Sequence, residues 1–176
     1  MAPRTRLPSA GLLLYRLEPA GLELLLAHMG GPLWASKDDR AWTVPKGEYD
    51  DTEDAYAAAR REFAEELGSE PPDGDPVPLG EIRQSGGKRV TAWALPGDLD
   101  VTTVQSNDFE LEWPPRSGRT QTFPEIDRAA WFDPGTARSK LVTAQSAFVD
   151  RLEQALAVGN RYGASQTPRP PQEDPR

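Results

Sequence analysis

In the first half of the chain, apolar residues occur in short runs whose spacing is typical of β-strands. Two runs, residues 10–16 and 22–28, are separated by a turn-forming segment and predict a β-hairpin. Residues 77–84 and 88–95 flank a serine–glycine–glycine turn and predict a second hairpin. Successive side chains of a strand point to opposite faces, so each run can bury at least one face in a core.

Two other segments show the spacing of amphipathic helices. In the first, the residues that share one stripe are Ala55, Tyr56, Ala59, Phe63 and Leu67. Residues 50–52 offer N-cap oxygens to this helix, and Gly68 is suited to end it. A second helical region opens at Asp133 and keeps its apolar spacing to about Val158. Strands and helices mixed in this way predict an α/β layered domain.

Length and composition fit one folded domain with a substantial core. The chain has 176 residues, of which 37% are hydrophobic. We predict that this domain covers residues 1–158. Residues 159–176 are rich in proline, glycine, glutamine and charge, and are expected to form a disordered tail.

Composition also argues against several classes of function. The chain has no cysteine, which rules out disulfides and thiolate metal sites and suggests a cytoplasmic location. His28 is its single histidine, which argues against a histidine-rich metal centre. A net charge of −8 argues against binding to nucleic-acid polymers or anionic membranes. The apolar run after residue 9 is too short to span a membrane.

Three carboxylates in the first predicted helix are the candidate chemistry. Glu62, Glu65 and Glu66 lie at positions i, i+3 and i+4, which places them on one face of the helix. Like charges at this spacing repel one another and destabilise a helix. The cluster becomes favourable when divalent cations neutralise it, and ligands that offer only oxygen suit Mg²⁺ or Mn²⁺.

The residues around these glutamates resemble a known family. From Gly47 to Gly68 the chain reads GEYDDTEDAYAAARREFAEELG. The positions of Gly47, Glu53 and the segment REFAEELG are similar to the signature box of the Nudix hydrolases. Every charged and glycine position of that box is matched. Ser69 departs from the pattern, because the family usually has an aliphatic residue there.

This resemblance implies a fold, a reaction and a metal site. The fold would be the Nudix-type α/β/α sandwich with a central mixed β-sheet, over about residues 8–158. The reaction would be hydrolysis of a phosphoanhydride bond in a nucleoside diphosphate-linked compound. The family's metal ligands correspond to the carbonyl of Gly47 and the carboxylates of Glu62, Glu65 and Glu66. They would hold Mg²⁺, with Mn²⁺ as a substitute.

The resemblance assigns Arg61 to orienting the neighbouring glutamates, but it leaves the general base open. That base is either a glutamate of the box or a carboxylate from a distant loop. Glu125 precedes a short predicted strand, in a loop like the one from which some relatives project a base. Glu110 and Glu112 compete with it, because they lie in a long irregular stretch over residues 98–122.

Candidate substrate contacts are three basic residues and one aromatic residue. Lys46 precedes the box glycine and is placed to approach a phosphate. Lys88 and Arg89 follow the second hairpin turn and point to opposite faces, so at most one of them should enter the cleft. Trp42 is a candidate for stacking on a base, although a tryptophan also suits a core.

The favoured substrate is a dinucleoside polyphosphate, because the Pro45-Lys46-Gly47 lead-in resembles the diadenosine polyphosphate hydrolases of the family. The alternatives are nucleotide-sugar, ADP-ribose or nucleoside triphosphate pyrophosphatases. A non-catalytic, nucleotide-binding member of the family is disfavoured, because Glu62, Glu65 and Glu66 are intact in this chain. An acidic Ca²⁺-binding module is disfavoured because these glutamates lie on a helix. The expected partner is a small nucleotide, and the sequence leaves a homodimer open.

Overall fold

The fold is given by a computed structural model that describes residues 6–163, with side chains up to residue 159. The strands are β1 (Ser9–Glu18), β2 (Gly21–Met29), β3 (Trp42–Thr43), β4 (Lys46–Glu48), β5 (Val77–Arg83), β6 (Arg89–Pro96), β7 (Asp108–Glu112), β8 (Thr120–Pro124) and β9 (Ile126–Phe132). The helices are α1 (Ala55–Leu67), α2 (Pro134–Lys140) and α3 (Ser146–Gly163). Both predicted hairpins form: β1 pairs antiparallel with β2, and β5 pairs antiparallel with β6.

A seven-stranded mixed sheet forms the centre of the molecule. β6 lies parallel to β1, whereas the other pairings in this sheet are antiparallel. β1 and β2 pair only near their shared turn and then separate. β3 pairs with β2 and β4 pairs with β1 in the space that opens between them. This arrangement places β4, which carries the box glycine, inside the sheet beside the start of β1.

The two faces of the sheet are covered by different helices, as the alternation of side chains in β1 explains. Leu12 and Leu14 point to one face and pack in a cluster with Phe63 of α1. Leu13 points to the other face and packs in a cluster with Phe148 of α3. Every one of these side chains is fully buried. The predicted α/β/α sandwich around a mixed sheet is confirmed.

The boundaries of the helices differ from those predicted. The N-cap of α1 is Asp54, whose carboxylate accepts the Ala57 N–H, and not a residue of 50–52. The second helical region is divided, because Leu141 forms an isolated bridge with Trp42 of β3. α3 then continues to Gly163, beyond the predicted end of the domain at residue 158. The rest of the predicted tail, residues 164–176, lies outside the described residues.

Residues 98–122 are more regular than the sequence suggested. β7 and β8 form a separate two-stranded antiparallel sheet. This hairpin ends directly before β9, so its base lies next to the central sheet. Within residues 6–163, no helix is long and apolar enough to cross a membrane.

Gln145 is a buried polar residue that holds the backbone segment leading into β4 and the box glycine. Its Oε1 accepts the Val44 N–H at 2.8 Å, and its Nε2 donates to the Thr43 hydroxyl at 3.0 Å. The side chain is fully buried. Gln145 therefore fixes the backbone between β3 and β4.

Replacing Gln145 with methionine is expected to lower the free energy of unfolding by about 2 kcal/mol, because the buried Val44 N–H would lose its acceptor. Urea denaturation measures this change. Gln154→Met is the matched control, since Gln154 is exposed on α3 and its replacement should change stability little. Equal stability of the two variants would contradict the role given to Gln145.

Candidate active site

Helix α1 presents its carboxylates toward β4 because both of its ends and its apolar face are fixed. Asp54 caps the first turn, and Gly68 ends the helix in the left-handed conformation with φ of 73°. Ala58, Ala59, Phe63 and Leu67 are buried against the sheet. The glutamates are thereby held at the edge of the helix that contacts β4.

Gly47 and Glu62 are in very close contact. The Glu62 side chain is only 13% exposed. A Cβ atom built on Gly47 would lie 1.9 Å from the carboxyl carbon of Glu62. Only glycine leaves room for the carboxylate at this point, which explains physically why the box begins with this residue.

Arg61 connects four groups around the glutamates. Its Nε and Nη2 each donate to the carboxylate of Glu53 at 2.9 Å, a bidentate pair. Its Nη1 lies 2.6 Å from Glu62 and 3.3 Å from Glu65, and its Nη2 reaches the carbonyl of Glu48 at 3.4 Å. The hydrogen bonds with Glu53 raise the pKa of Arg61 and lower the pKa of Glu53. Arg61 therefore stays charged, and its contacts with Glu62 and Glu65 are those that an orienting residue would make.

Glu66 is the most enclosed of the box glutamates. It is 7% exposed, and its Oε2 accepts the backbone N–H of Lys46 at 3.0 Å. Burial raises the pKa of Glu66 to about 8, although the nearby charge of Lys46 opposes the shift. Burial likewise lowers the pKa of Lys46, and Glu66 opposes that shift.

Glu125 lies directly before β9 and belongs to the same electrostatic neighbourhood. Partial burial raises the pKa of Glu125, and the negative charges of Glu62 and Glu65 raise it further, while Lys46 lowers it. The fold therefore brings together a distant carboxylate and the box. Glu112 instead accepts the Gly118 N–H at 2.8 Å within its own hairpin turn. Glu110 is exposed on β7. Of the carboxylates weighed as bases outside the box, we therefore favour Glu125, which is partly buried beside the box glutamates.

The candidate substrate contacts divide into two groups. Lys46 lies beside Glu66, and Lys88 Nζ reaches Glu48 Oε1 at 3.0 Å, so both basic groups lie near the box. Arg89 instead faces Glu81 of β5 at 3.6 Å. Lys88 and Arg89 thus point to different neighbours, and Lys88 is the one that lies beside the box; contact of either residue with a substrate stays a prediction.

Trp42 does not fit the expectation that it stacks on a base. Its side chain is only 3% exposed and packs edge-on against His28 and Phe132. Its indole N–H donates to Asp38 at 2.9 Å. Because so little of the side chain is exposed, Trp42 is a core residue and is not available to stack on a base. His28 is likewise structural, because its ring nitrogens each lie 2.8 Å from an oxygen, of Asp127 and of the Lys37 carbonyl.

The donor set around Gly47 suits a hard divalent cation. It consists of carboxylate and carbonyl oxygens, with a buried carboxylate in Glu66. Within the described part of the chain, no three acidic, histidine or cysteine side chains converge into a ready-made metal cluster. Glu62 and Glu65 are both engaged by Arg61, so a cation would have to compete with the guanidinium for their oxygens.

Glu48 lies near the site and was not found from the sequence. Glu48 pairs with Lys88, and its carbonyl lies within reach of Arg61. It is adjacent to the box glycine in sequence, but a single exposed acidic residue forms no sequence pattern that would indicate a role at the site. The pairing exists because β4 and the start of β6 both lie beside the start of β1.

Comparisons with solved structures agree with this fold. Among solved structures, an Ap4A hydrolase binary complex from C. elegans is 23% identical with a TM-score of 0.61, covering 85% of this chain and 98% of that chain. The NUDIX domain of Shewanella oneidensis NrtR, complexed with ADP ribose, is 15% identical with a TM-score of 0.58, covering 88% and 91%. The Nudix hydrolase RenU from M. smegmatis is 22% identical with a TM-score of 0.51, covering 86% of each chain.

At these identities the solved structures show a shared fold. No match was found among curated proteins. A sequence profile of the NUDIX domain, however, matches residues 5–152, which is most of the chain. As its signature box predicted, the chain belongs to the Nudix hydrolase family.

Proposed function

We propose that this Nudix hydrolase is Mg²⁺-dependent and cleaves a phosphoanhydride bond in a nucleoside diphosphate-linked compound, with a dinucleoside polyphosphate as the favoured substrate. The observation that carries the proposal is the packing of the Glu62 carboxylate against Gly47, beside Glu66 and Lys46. Carboxylates gathered on a helix face against the glycine of β4 are suited to cation-assisted chemistry on phosphates.

Nudix hydrolases generally use divalent metal ions, and the oxygen donors here fit such an ion. The carbonyl of Gly47 and the carboxylates of Glu62, Glu65 and Glu66 would hold it. When bound, the metal would neutralise the phosphate oxygens that otherwise repel a nucleophile.

The chain's own residues supply the remaining chemistry in this proposal. Glu125 takes the proton from the attacking water, because its raised pKa makes it a stronger base than an ordinary glutamate. Lys46 and Lys88 offer positive charge to the phosphates. Arg61 keeps Glu62 in place through its contacts with Glu53 and Glu62.

The choice of a dinucleoside polyphosphate is supported by the Pro45-Lys46 lead-in to Gly47. It is also supported by the C. elegans Ap4A hydrolase, whose structure aligns with 85% of the length of this chain. ADP-ribose is the second candidate, because the structurally similar NUDIX domain of NrtR was solved with it. A substrate panel with Mg²⁺ and with EDTA separates the two. It should contain diadenosine tetraphosphate, ADP-ribose, a nucleotide sugar and a nucleoside triphosphate.

Chromatographic identification of the products would locate the bond that breaks. The proposal expects Mg²⁺-dependent turnover, fastest for the dinucleoside polyphosphate. Faster turnover of ADP-ribose would replace the favoured substrate by the second candidate. No turnover of any compound in the panel with Mg²⁺ would reject the hydrolase proposal.

Magnesium affinity is expected to depend on pH through Glu66. Because the pKa of Glu66 is raised to about 8, its carboxyl is neutral below that pH and must lose a proton before it binds a cation. Calorimetric titration should show affinity rising by up to about tenfold per pH unit toward pH 8 and levelling off above it. In Glu66→Gln, the magnesium affinity should no longer depend on pH in this way. The hydrolytic activity of the wild-type protein should rise toward alkaline pH together with its magnesium affinity. Equal affinity of the wild-type protein at about pH 6 and pH 8.5 would contradict this assignment.

A further inference from the structure

The backbone around Glu125 is held by three hydrogen bonds from outside the box. The Gly30 N–H donates to the Glu125 carbonyl at 2.8 Å, and the Glu125 N–H donates to the Asn107 carbonyl at 2.8 Å. The next residue, Ile126, donates its N–H to the Ser106 hydroxyl at 3.0 Å. The segment is therefore held on one side by Gly30, the residue that follows β2, and on the other by the connection before β7.

Gly30 leaves no space for a larger side chain at this point. A Cβ atom built on it would lie 1.9 Å from the carbonyl oxygen of Pro124 and 3.2 Å from that of Glu125. Both obstacles are backbone atoms, which cannot swing aside as the end of a side chain can. A side chain at position 30 would therefore have to push the Pro124–Glu125 backbone away.

Glu125 lies between two strands and is not itself a paired residue of either sheet. The ladder between β2 and β9 shifts register between His28 and Met29, and its last pair is Met29 with Ile126. Glu125 lies one residue beyond that pair. Between β8 and β9, its backbone is held by the hydrogen bonds with Gly30 and Asn107 and by the adjacent bond between Ile126 and Ser106.

The same connection is tied to the signature helix. The Asn107 N–H donates to the carbonyl of Glu65 at 3.2 Å, and the Ser106 hydroxyl donates to the Asn107 carbonyl at 2.8 Å. A short chain of hydrogen bonds therefore joins the Glu125 backbone to the last turn of α1, which carries Glu65 and Glu66.

We propose that Gly30 and Ser106 are positioning residues, which hold the Glu125 carboxylate at the correct place relative to the box glutamates. The inference rests on the proposed role of Glu125 as the group that takes the proton from water. Neither residue touches the substrate. Each acts by fixing the backbone of Glu125, so the effect of replacing either one must pass through that carboxylate.

The test is a set of double-mutant cycles. Gly30→Ala and Ser106→Ala are made in the wild-type protein and in Glu125→Gln, and kcat, KM and melting temperature are measured for each. A displacement of about 1 Å can cost about a hundredfold in rate, so we expect kcat to fall about 30- to 100-fold for Gly30→Ala. The milder Ser106→Ala should lose about 3- to 10-fold, and KM should change less than about threefold in both.

In the Glu125→Gln background, neither change should lower kcat by more than about twofold, because the carboxylate that they position is already absent. Gly74→Ala is the matched control. Its Cβ would meet the nearest atom, Leu95 Cδ2, at an ordinary 3.6 Å, so its kcat should equal that of the wild-type protein. If Gly30→Ala fails to fold, Ser106→Ala alone decides, because it removes a hydroxyl without creating a clash.

Equal kcat losses in the wild-type and Glu125→Gln backgrounds would overturn the inference, since a purely structural effect does not depend on residue 125. Wild-type kcat in both single variants would overturn it as well. If Glu125→Gln alone had wild-type turnover, the role of Glu125 would be wrong and the inference would fall with it. Absence of hydrolysis in the wild-type protein would instead reject the proposed function, which distinguishes the two failures.

Discussion

Replacing Glu62 or Glu66 with glutamine is expected to lower turnover by about a thousandfold or more while leaving the fold intact. Each amide keeps the size of the side chain but removes the negative charge that a cation needs at the transition state. Steady-state kinetics at saturating Mg²⁺ measures the loss. Circular dichroism and thermal unfolding should show a folded protein, because glutamine still offers Lys46 an acceptor oxygen at position 66.

The matched control is Glu110→Gln, which makes the same chemical change in the β7–β8 hairpin, where Glu110 is exposed. Its turnover should equal that of the wild-type protein. Wild-type turnover in both Glu62→Gln and Glu66→Gln would show that these carboxylates do not form the metal site.

Gly47→Ala should lower turnover by about a hundredfold or more with little loss of stability. The new Cβ would lie 1.9 Å from the Glu62 carboxyl carbon, so this carboxylate has to move. It lies at the far end of a flexible side chain, and the protein can therefore accommodate the methyl group by turning Glu62 away. The free energy of unfolding should change by less than about 1 kcal/mol. Kinetics and urea denaturation of the same sample test both parts.

A large loss of stability in Gly47→Ala would contradict this account, because it would mean that the backbone and not the carboxylate resists the methyl group. Unchanged turnover would contradict it in a different way, by showing that the position of Glu62 is not important. Gly74→Ala again provides a control for the glycine-to-alanine change itself, because it has no close contact to relieve.

Much of the candidate site could be predicted because its information is local in sequence. The three glutamates, Arg61 and Gly47 belong to one strand–turn–helix segment, in which helical period and capping preferences fix their relative positions. The end of α1 at Gly68 was predicted for the same reason. Its N-cap was misplaced by a few residues, because several acidic residues before Ala55 are equally good caps and the sequence does not choose among them.

The rest depended on contacts between distant parts of the chain. Trp42 was misread because periodicity shows that a residue is apolar, but not that His28 and Phe132 will enclose its ring. The second helical region was predicted as continuous, yet Leu141 leaves the helix to bridge Trp42. No sequence pattern marked Gly30, because only the folded structure brings the Pro124 carbonyl to the place that a Cβ atom at position 30 would occupy.

The central claim is that Glu62, Glu65 and Glu66 hold a divalent cation beside Gly47. Its most direct test is an electron paramagnetic resonance titration with Mn²⁺, which counts free and bound ions without requiring a substrate. The account predicts binding in the millimolar range or tighter for the wild-type protein, and loss of that binding in a Glu62→Gln, Glu66→Gln double variant. Absence of Mn²⁺ uptake by the wild-type protein, with or without nucleotide, or undiminished uptake by the double variant, would contradict it.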